Sequence, residues 1–390
     1  MPFSTNQTLS DLYYFLKPLL FAYLSCSDPR DKRVWSGTHH SIYKSICSIG
    51  DVDVLGPYEP KLRVLFARAI NQIYLSVFGK RLSYRHSKFI SKGYANYFDK
   101  KLKEKKYDYV IAPAASCEIA FITTRIPIIY ITDGTFSSCL NYHESLSHLT
   151  RKSVDEGNFI ENSAIEKSKW VIVSSDWASK SVINDYKKEK NSVITIPYGA
   201  NLELLPESSD LNYTIPKTWK LLFVGVYWDN KGGEIAYNAF KQLKKKGFNI
   251  SLTVVGCIPP KKFSDPEMRV VPFIDKNEVT GQQQFYDVFK EHHFLLLPTR
   301  FDCTPIVINE ASAFGIPSLV TNSGGVAGHL RNGENGHLMD YNDEGPGYVS
   351  KIEKLINKPE DYQQLRKKTR EIYDRELNWS HWIEEFGKCL

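Results

Sequence analysis

The sequence predicts two tandem doubly wound, Rossmann-like α/β domains that face each other across a cleft. Three observations carry this. Short apolar runs of strand length alternate with segments of helix length, the signature of parallel sheets covered on both faces. The alternation breaks at one polar, proline-bearing stretch over residues 206–219, a linker. At 390 residues, the chain is also long enough for two ordinary domains.

The elements follow in order. LLFAYLSCS (Leu19–Ser27) imitates the apolar part of a signal peptide, but only Lys17 precedes it as positive charge, so it reads as the first strand. Ser36-Gly37-Thr38 closes a loop, His39–Ile49 is helical, and Val52–Leu55 is the next strand. YDYVIAP (Tyr107–Pro113), IPIIYIT (Ile126–Thr132), WVIVSS (Trp170–Ser175) and VITIPYG (Val193–Gly199) are further buried strands. They complete a first domain over residues 1–205. The second domain, residues 220–370, contains KLLFVG (Lys220–Gly225), NISLTVVG (Asn249–Gly256), RVVPFI (Arg269–Ile274), HFLLLP (His293–Pro298) and SLVT (Ser318–Thr321). Between the last two, Thr304 is expected to cap a helix, with Pro305 at its first position and Gly315 just past its end. The Asn322–Gly325 turn is expected to open another helix from Val326. Residues 371–390, with Trp379 and Trp382, read as a helix packing back on the first domain.

Composition narrows the function. A net charge of +6 spread over this length is too weak to argue for nucleic acid. Seven cysteines without close pairs fit neither a zinc framework nor a disulfide scaffold, so a reducing, cytoplasmic compartment is expected, with most of them small core residues. No apolar run approaches the ~20 residues of a membrane helix. Asp51-Val52-Asp53 looks like a DxD metal signature, but it alternates with apolar residues at a strand, and no metal is expected there. One segment stands out: Lys61–Lys106 carries thirteen basic residues against two acidic ones, Asp99 and Glu104, interleaved with aromatic and aliphatic side chains. It is either a solvated pair of helices or a face that docks on an anionic acceptor or on anionic lipid at the inner face of the membrane.

The chemistry concentrates in RFDCTPIVINEASAFGIPSLVTNSGGVAGHL (Arg300–Leu330). Asp302 follows a strand at its carboxyl end, where ligands of open parallel sheets bind. Glu310 lies about six residues into the helix, roughly 9 Å from its N-cap. Helix N-termini and bare glycine amides nearby suit phosphate. Two hydroxyl-binding carboxylates flanking an anion cradle fit a nucleotide sugar. Lys231, just before Gly232-Gly233 at a strand–helix junction, is placed to neutralise a diphosphate. Asp133 emerges from IPIIYIT toward the cleft, where it either shapes an Asp-Gly turn or serves as a functional carboxylate.

VGxxxxxKGG, TVVG and DCTPIVINEASAFGIPSLVTNSGGV, dense over Leu221–Asp340, resemble the retaining glycosyltransferase family 4, whose fold is GT-B. WSGT, ITDGTF, VIVSSDWA and IPYGAN match in order, more loosely, over Phe21–Ala200. The resemblance implies a metal-independent hexosyltransferase using a UDP- or GDP-sugar, with no other cofactor. The acceptor would be a saccharide or a lipid-linked saccharide in surface polysaccharide or glycolipid assembly. It places the E-x7-E acids on Asp302, toward the donor hexose, and Glu310, toward the ribose. Lys231 falls on the donor-phosphate lysine. Gly324, Gly325 and Val326 fall on the glycine turn whose amides face the diphosphate or hexose. Gly37 falls on the N-terminal glycine loop, and Phe273 and Ile274 face the base. The intervening Cys303, Thr304, Pro305 and Ile306 complete the donor loop.

Four positions depart from that pattern: Asp302 stands for glutamate, Val226 for an arginine, Pro305 for a glycine, and Asp133 for the acceptor-side histidine. Other readings are a nucleotide-sugar epimerase and a sugar-nucleotide-binding subunit without catalysis. A dinucleotide oxidoreductase is weakest, since no GxGxxG follows either first strand.

Overall fold

The computed structural model describes residues 18–142 and 144–390; Lys17 and the sixteen residues before it lie outside them. The first sheet contains β1 (Leu19–Tyr23), β2 (Gly50–Val54), β3 (Tyr109–Pro113), β4 (Ile128–Thr132), β5 (Trp170–Val173) and β6 (Val193–Thr195). The second contains β7 (Trp219–Val224), β8 (Ile250–Val255), β9 (Met268–Val271), β10 (Phe294–Leu297), β11 (Ser318–Thr321) and β12 (Gly336–Met339). All pairings are parallel, in the orders β2-β1-β3-β4-β5-β6 and β12-β11-β10-β7-β8-β9. This is the GT-B architecture.

The strands β4, β10 and β11 are buried at every position because helices cover both faces of each sheet. That burial is why they read as continuous apolar runs. β12 escapes the sequence reading because His337 and Leu338 in Gly336–Met339 are only half buried. In each sheet the strand order reverses beside the first strand, between β1 and β3 and between β7 and β10. Crevices at such points, outside the carboxyl ends of strands, are where ligands enter.

The connections between the sheets are pinned. Arg366 Nη1 donates to the Asn212 carbonyl at 2.6 Å and Arg370 Nη1 to the Pro206 carbonyl at 2.9 Å. Both arginines belong to the Pro359–Glu376 helix, so the polar stretch near 206–218 lies against it. The final helix, Trp379–Gly387, seats Trp382 and Phe386 in one core cluster with Phe21, Tyr23 and Ile131.

Several local expectations are corrected. The helix expected over His39–Ile49 ends at Ile46. The helix expected from Val326 is a three-residue 3-10 turn, Val326–Gly328. Gly328 at its end packs closely on Ser175, where a Cβ would lie 2.6 Å from Ser175 Cβ. Of the seven cysteines only Cys257 and Cys389 are buried, so most are not core residues.

Candidate active site

The β7 and β10 strands are neighbours at the second switch point, and this adjacency builds the centre of the site. Lys231 lies in the loop after β7, and Asp302 in the loop after β10. Gly232, at φ 73°, lets the first loop press on the second: a Cβ there would meet the Pro298 carbonyl oxygen at 1.9 Å. Gly225 lets the lysine stem lie across it, with the added Cβ only 2.7 Å from Lys231 Cγ. The ammonium therefore reaches Asp302, Nζ to Oδ2 2.5 Å, with Asp302 only 7 % exposed. The helix Gly233–Lys245 starts two residues later, so its N-terminal dipole and the ammonium point to one place.

Across the cleft, Asp133 follows β4. The Trp35 indole Nε1–H donates to its Oδ2 at 3.1 Å. Burial raises the Asp133 carboxyl to about 6; the Asp302 charge adds to this, while the Trp35 hydrogen bond and the Lys231 charge oppose it. Trp35 is aimed by an unusual turn: Trp35, Ser36 and Gly37 have φ of 50°, 55° and 92°, left-handed in succession. Non-glycine residues there cost on the order of 1 kcal/mol each. Asn201 Nδ2 and Lys276 Nζ hold the turn by donating to the Ser36 carbonyl at 3.0 and 3.3 Å. Trp35, His86, Asp133, Cys139 and Asp302 all line one cavity of about 420 Å³ between the domains. Burial lowers the His86 imidazole to about 4, so it is neutral at pH 7.

Glu310 is buried in the Ile306–Ala313 helix, 3 % exposed. Burial raises its carboxyl, and Lys276, 3.3 Å away, opposes that rise. The sequence reading missed Lys276, although it lies two residues beyond Ile274. Of the pair expected to face a base, Phe273 is 64 % exposed in the loop after β9, while Ile274 packs on the second-domain core.

The Cys303–Ile306 loop is committed differently from expectation. Thr304 does not cap the helix; its hydroxyl pairs with Ser174 Oγ of the first domain at 2.5 Å, and Pro305 takes the cap position without a side-chain bond. Ile306 packs among first-domain residues such as Ile131. The glycine turn is also spent internally. The Gly325 amide donates to the Asp302 carbonyl at 3.0 Å and the Val326 amide to Ser323 at 3.1 Å. These two amides therefore fix the Asp302 backbone and the turn in this state. Gly324, at φ 52°, is shielded by Tyr142 from the first domain, whose ring meets Phe301 at 4.2 Å between centroids.

Among the described residues no group of three or more His, Cys, Asp or Glu side chains is placed to hold a metal ion. Asp53 instead accepts from Lys105 Nζ and Tyr107 Oη, both at 2.7 Å.

Cys139 and Cys303, 164 residues apart, bring their sulfurs within 3.6 Å across the cleft. Diamide, which removes two thiol hydrogens, is expected to join them. The hydrogen bond with Cys139 and burial hold the Cys303 thiol well above its ordinary value, so coupling should quicken as pH rises. Peptide mapping checks this, with Cys139→Ser as control. Thiols that stay free after exhaustive treatment would mean the domains do not meet at this edge in solution.

Residues 212–372 match the family model described as Glycosyl transferases group 1. An uncharacterized glycosyltransferase of Methanocaldococcus jannaschii is 26% identical over 253 residues, 63% of this chain and 65% of that protein. The capsular polysaccharide biosynthesis glycosyltransferase CapM of Staphylococcus aureus is 26% identical over 203 residues, 48% of this chain and 52% of its own length. The match thus spans between half and two thirds of these relatives. Among solved structures, sucrose-phosphate synthase from Thermosynechococcus elongatus superposes with a TM-score of 0.65 at 15% identity, covering 95% of this chain and 98% of that one. HepE of Anabaena, in complex with UDP-glucose, does so with 0.63 at 13%, covering 95% and 100%. Residues 212–372 are thus similar to a glycosyltransferase domain, and the solved structures share the two-domain fold.

Proposed function

We propose that the protein is a retaining, metal-independent glycosyltransferase that moves a hexose from a UDP- or GDP-sugar to a saccharide or lipid-linked acceptor. We place it in surface polysaccharide assembly, in the cytoplasm, with an anionic membrane surface as partner through residues 61–106. The observation that carries the reading is the Lys231–Asp302 pair at the β7/β10 switch point, opposite Asp133.

On this reading the donor divides the pair. Asp302 turns to hexose hydroxyls and Lys231 to the diphosphate, where its charge and the Gly233 helix terminus stabilise the leaving group. This cationic role for Lys231 supports a reaction without metal or further cofactor. Glu310, exchanging Lys276 for ribose hydroxyls, holds the nucleoside. The acceptor oxygen bonds to the anomeric carbon on the face the phosphate leaves. The sugar–phosphate bond breaks, and the acceptor proton passes to the departing phosphate oxygen. Asp133 orients the acceptor hydroxyl and favours the positive charge developing at the anomeric carbon. The interdomain contacts keep water out.

UDP-glucose and GDP-mannose are the donors to try first. Calorimetry should show one of them binding, and transfer should proceed in excess EDTA with the anomeric configuration retained by NMR. Activity that vanishes with EDTA and returns with Mg²⁺ would overturn the metal-free mechanism. A non-catalytic binding subunit stays the second reading, because Val226, 68 % exposed, stands where a second phosphate cation would serve.

A further inference from the structure

Among the described residues, the helix Lys61–Phe78 is unlike every other long helix: Val64 is its only buried residue. Leu62, Leu65, Phe66, Ile73 and Val77 are 85, 66, 60, 61 and 65 % exposed, and they recur at helical spacing along one side. Phe89, 47 % exposed, extends the patch, with its ring 6.2 Å from Phe66. Exposed apolar area of this extent marks an interaction surface. The charge around it has one sign: no Asp or Glu occurs from Lys61 to Phe98, whereas Lys61, Arg63, Arg68 and Lys80 border the stripe.

We propose that this helix lies in the surface of an anionic bilayer, its Leu62–Val77 stripe at the headgroup–acyl boundary, and that it brings a lipid-anchored acceptor to the cleft. The charge pattern selects the occupant. A second copy packed isologously would set this basic helix against itself, with no acidic residue in the segment to answer it. Anionic headgroups supply the missing charge and the acyl boundary takes the apolar side chains.

The route to the cleft is short. Gly79, in the left-handed region at φ 62°, ends the helix. The chain then folds back on the helix through Leu82 N to Asn71 Oδ1 at 2.7 Å and anchors to the body through Ser83 N to Ser153 Oγ at 3.1 Å. His86 lies seven residues past Gly79 and lines the same cavity as Asp133 and Asp302. Seven residues span at most about 25 Å. The acceptor is therefore a lipid whose reacting hydroxyl stands within about that distance of the bilayer, the chain remaining in it. This acceptor assignment rests on the transfer reading above; the docking does not.

The test is flotation of the full chain with vesicles of phosphatidylcholine alone or with added phosphatidylglycerol, at low and high salt. The protein should float with the anionic vesicles at low salt. Leu62→Glu/Val77→Glu should lower partition at least tenfold. Lys61→Gln/Arg68→Gln should lower it about fivefold per charge removed. These side chains are on the surface, so a thermal melt matching wild type keeps the fold out of the result. Wild-type protein that ignores anionic vesicles, or an acidic-stripe variant that floats as well as wild type, overturns the proposal. So does ultracentrifugation showing a dimer that the acidic stripe converts to monomer, which would assign the surface to a second copy. Donor calorimetry on the same samples separates the two readings. Vesicle binding without any nucleotide-sugar binding would remove the acceptor assignment and leave the docking in place.

Discussion

Lys231→Ala is expected to lower transfer by about 10²–10³-fold, the scale for removing one preorganised charge from a leaving-group site. Part should be visible as donor affinity, since a charge-assisted hydrogen bond is worth about 1.5–3 kcal/mol. The remainder should fall on kcat, because the diphosphate gains charge as the sugar departs. The variant also carries a diagnostic beyond rate. Lys231 now neutralises Asp302 at 2.5 Å and draws the raised Asp133 carboxyl down. Without the ammonium, two carboxylates share the cleft, so the acidic limb of the pH–rate profile should move to higher pH. Lys231→Arg keeps the charge and should leave that limb in place, even if its planar fork fits the glycine-lined channel poorly. Wild-type kcat/KM and an unmoved pH profile in Lys231→Ala would reduce the lysine to a structural partner of Asp302.

The legibility of this protein in its sequence stops at the cleft. Most parallel strands announce themselves because burial on two faces demands an apolar run, half-buried β12 being the exception, and Gly232 announces a close approach before Pro298 is known to be its neighbour. Asp302 and Glu310 were legible because both belong to one strand–loop–helix unit. Asp133 was legible at the end of its strand, but its partner Trp35, 98 residues away, was not: an indole in a left-handed turn has no local signature of its acceptor. Thr304 shows how a local rule loses. A Thr-Pro pair before an apolar helix reads as a cap, but Ser174 from the other domain claims its hydroxyl. Lys276 failed for the same reason, since its partners, the Ser36 carbonyl and Glu310, come from two different domains.

Asp133→Asn is expected to lower transfer about 100-fold or more while making the protein more stable at neutral pH. The amide keeps the shape, tolerates the turn into Gly134 and still accepts the Trp35 indole bond, so donor affinity should change little. What it loses is the charge that orients the acceptor hydroxyl and offsets the positive charge at the anomeric carbon. The stability gain follows from the raised carboxyl. Its value in the folded protein is about 6, against 3.8 when unperturbed. The fold therefore holds the proton more tightly than the unfolded chain does. The stability linked to that proton is fully present below about pH 4, and it is lost as pH rises through about 6. Above that, wild type bears a partly desolvated carboxylate that the amide avoids, worth on the order of 1–2 kcal/mol for a group still partly open to the cleft. Melting wild type and variant side by side across pH checks this, with the difference vanishing in acid. Glu118 and Glu161, both raised to about 7 by burial, tilt the two curves alike and cancel in the comparison. Wild-type activity should also decline below about pH 6 as Asp133 takes its proton, and the variant should lose that limb. A variant that transfers sugar at the wild-type rate, or melts lower at pH 7.5, would leave Asp133 as the first residue of a turn and nothing more.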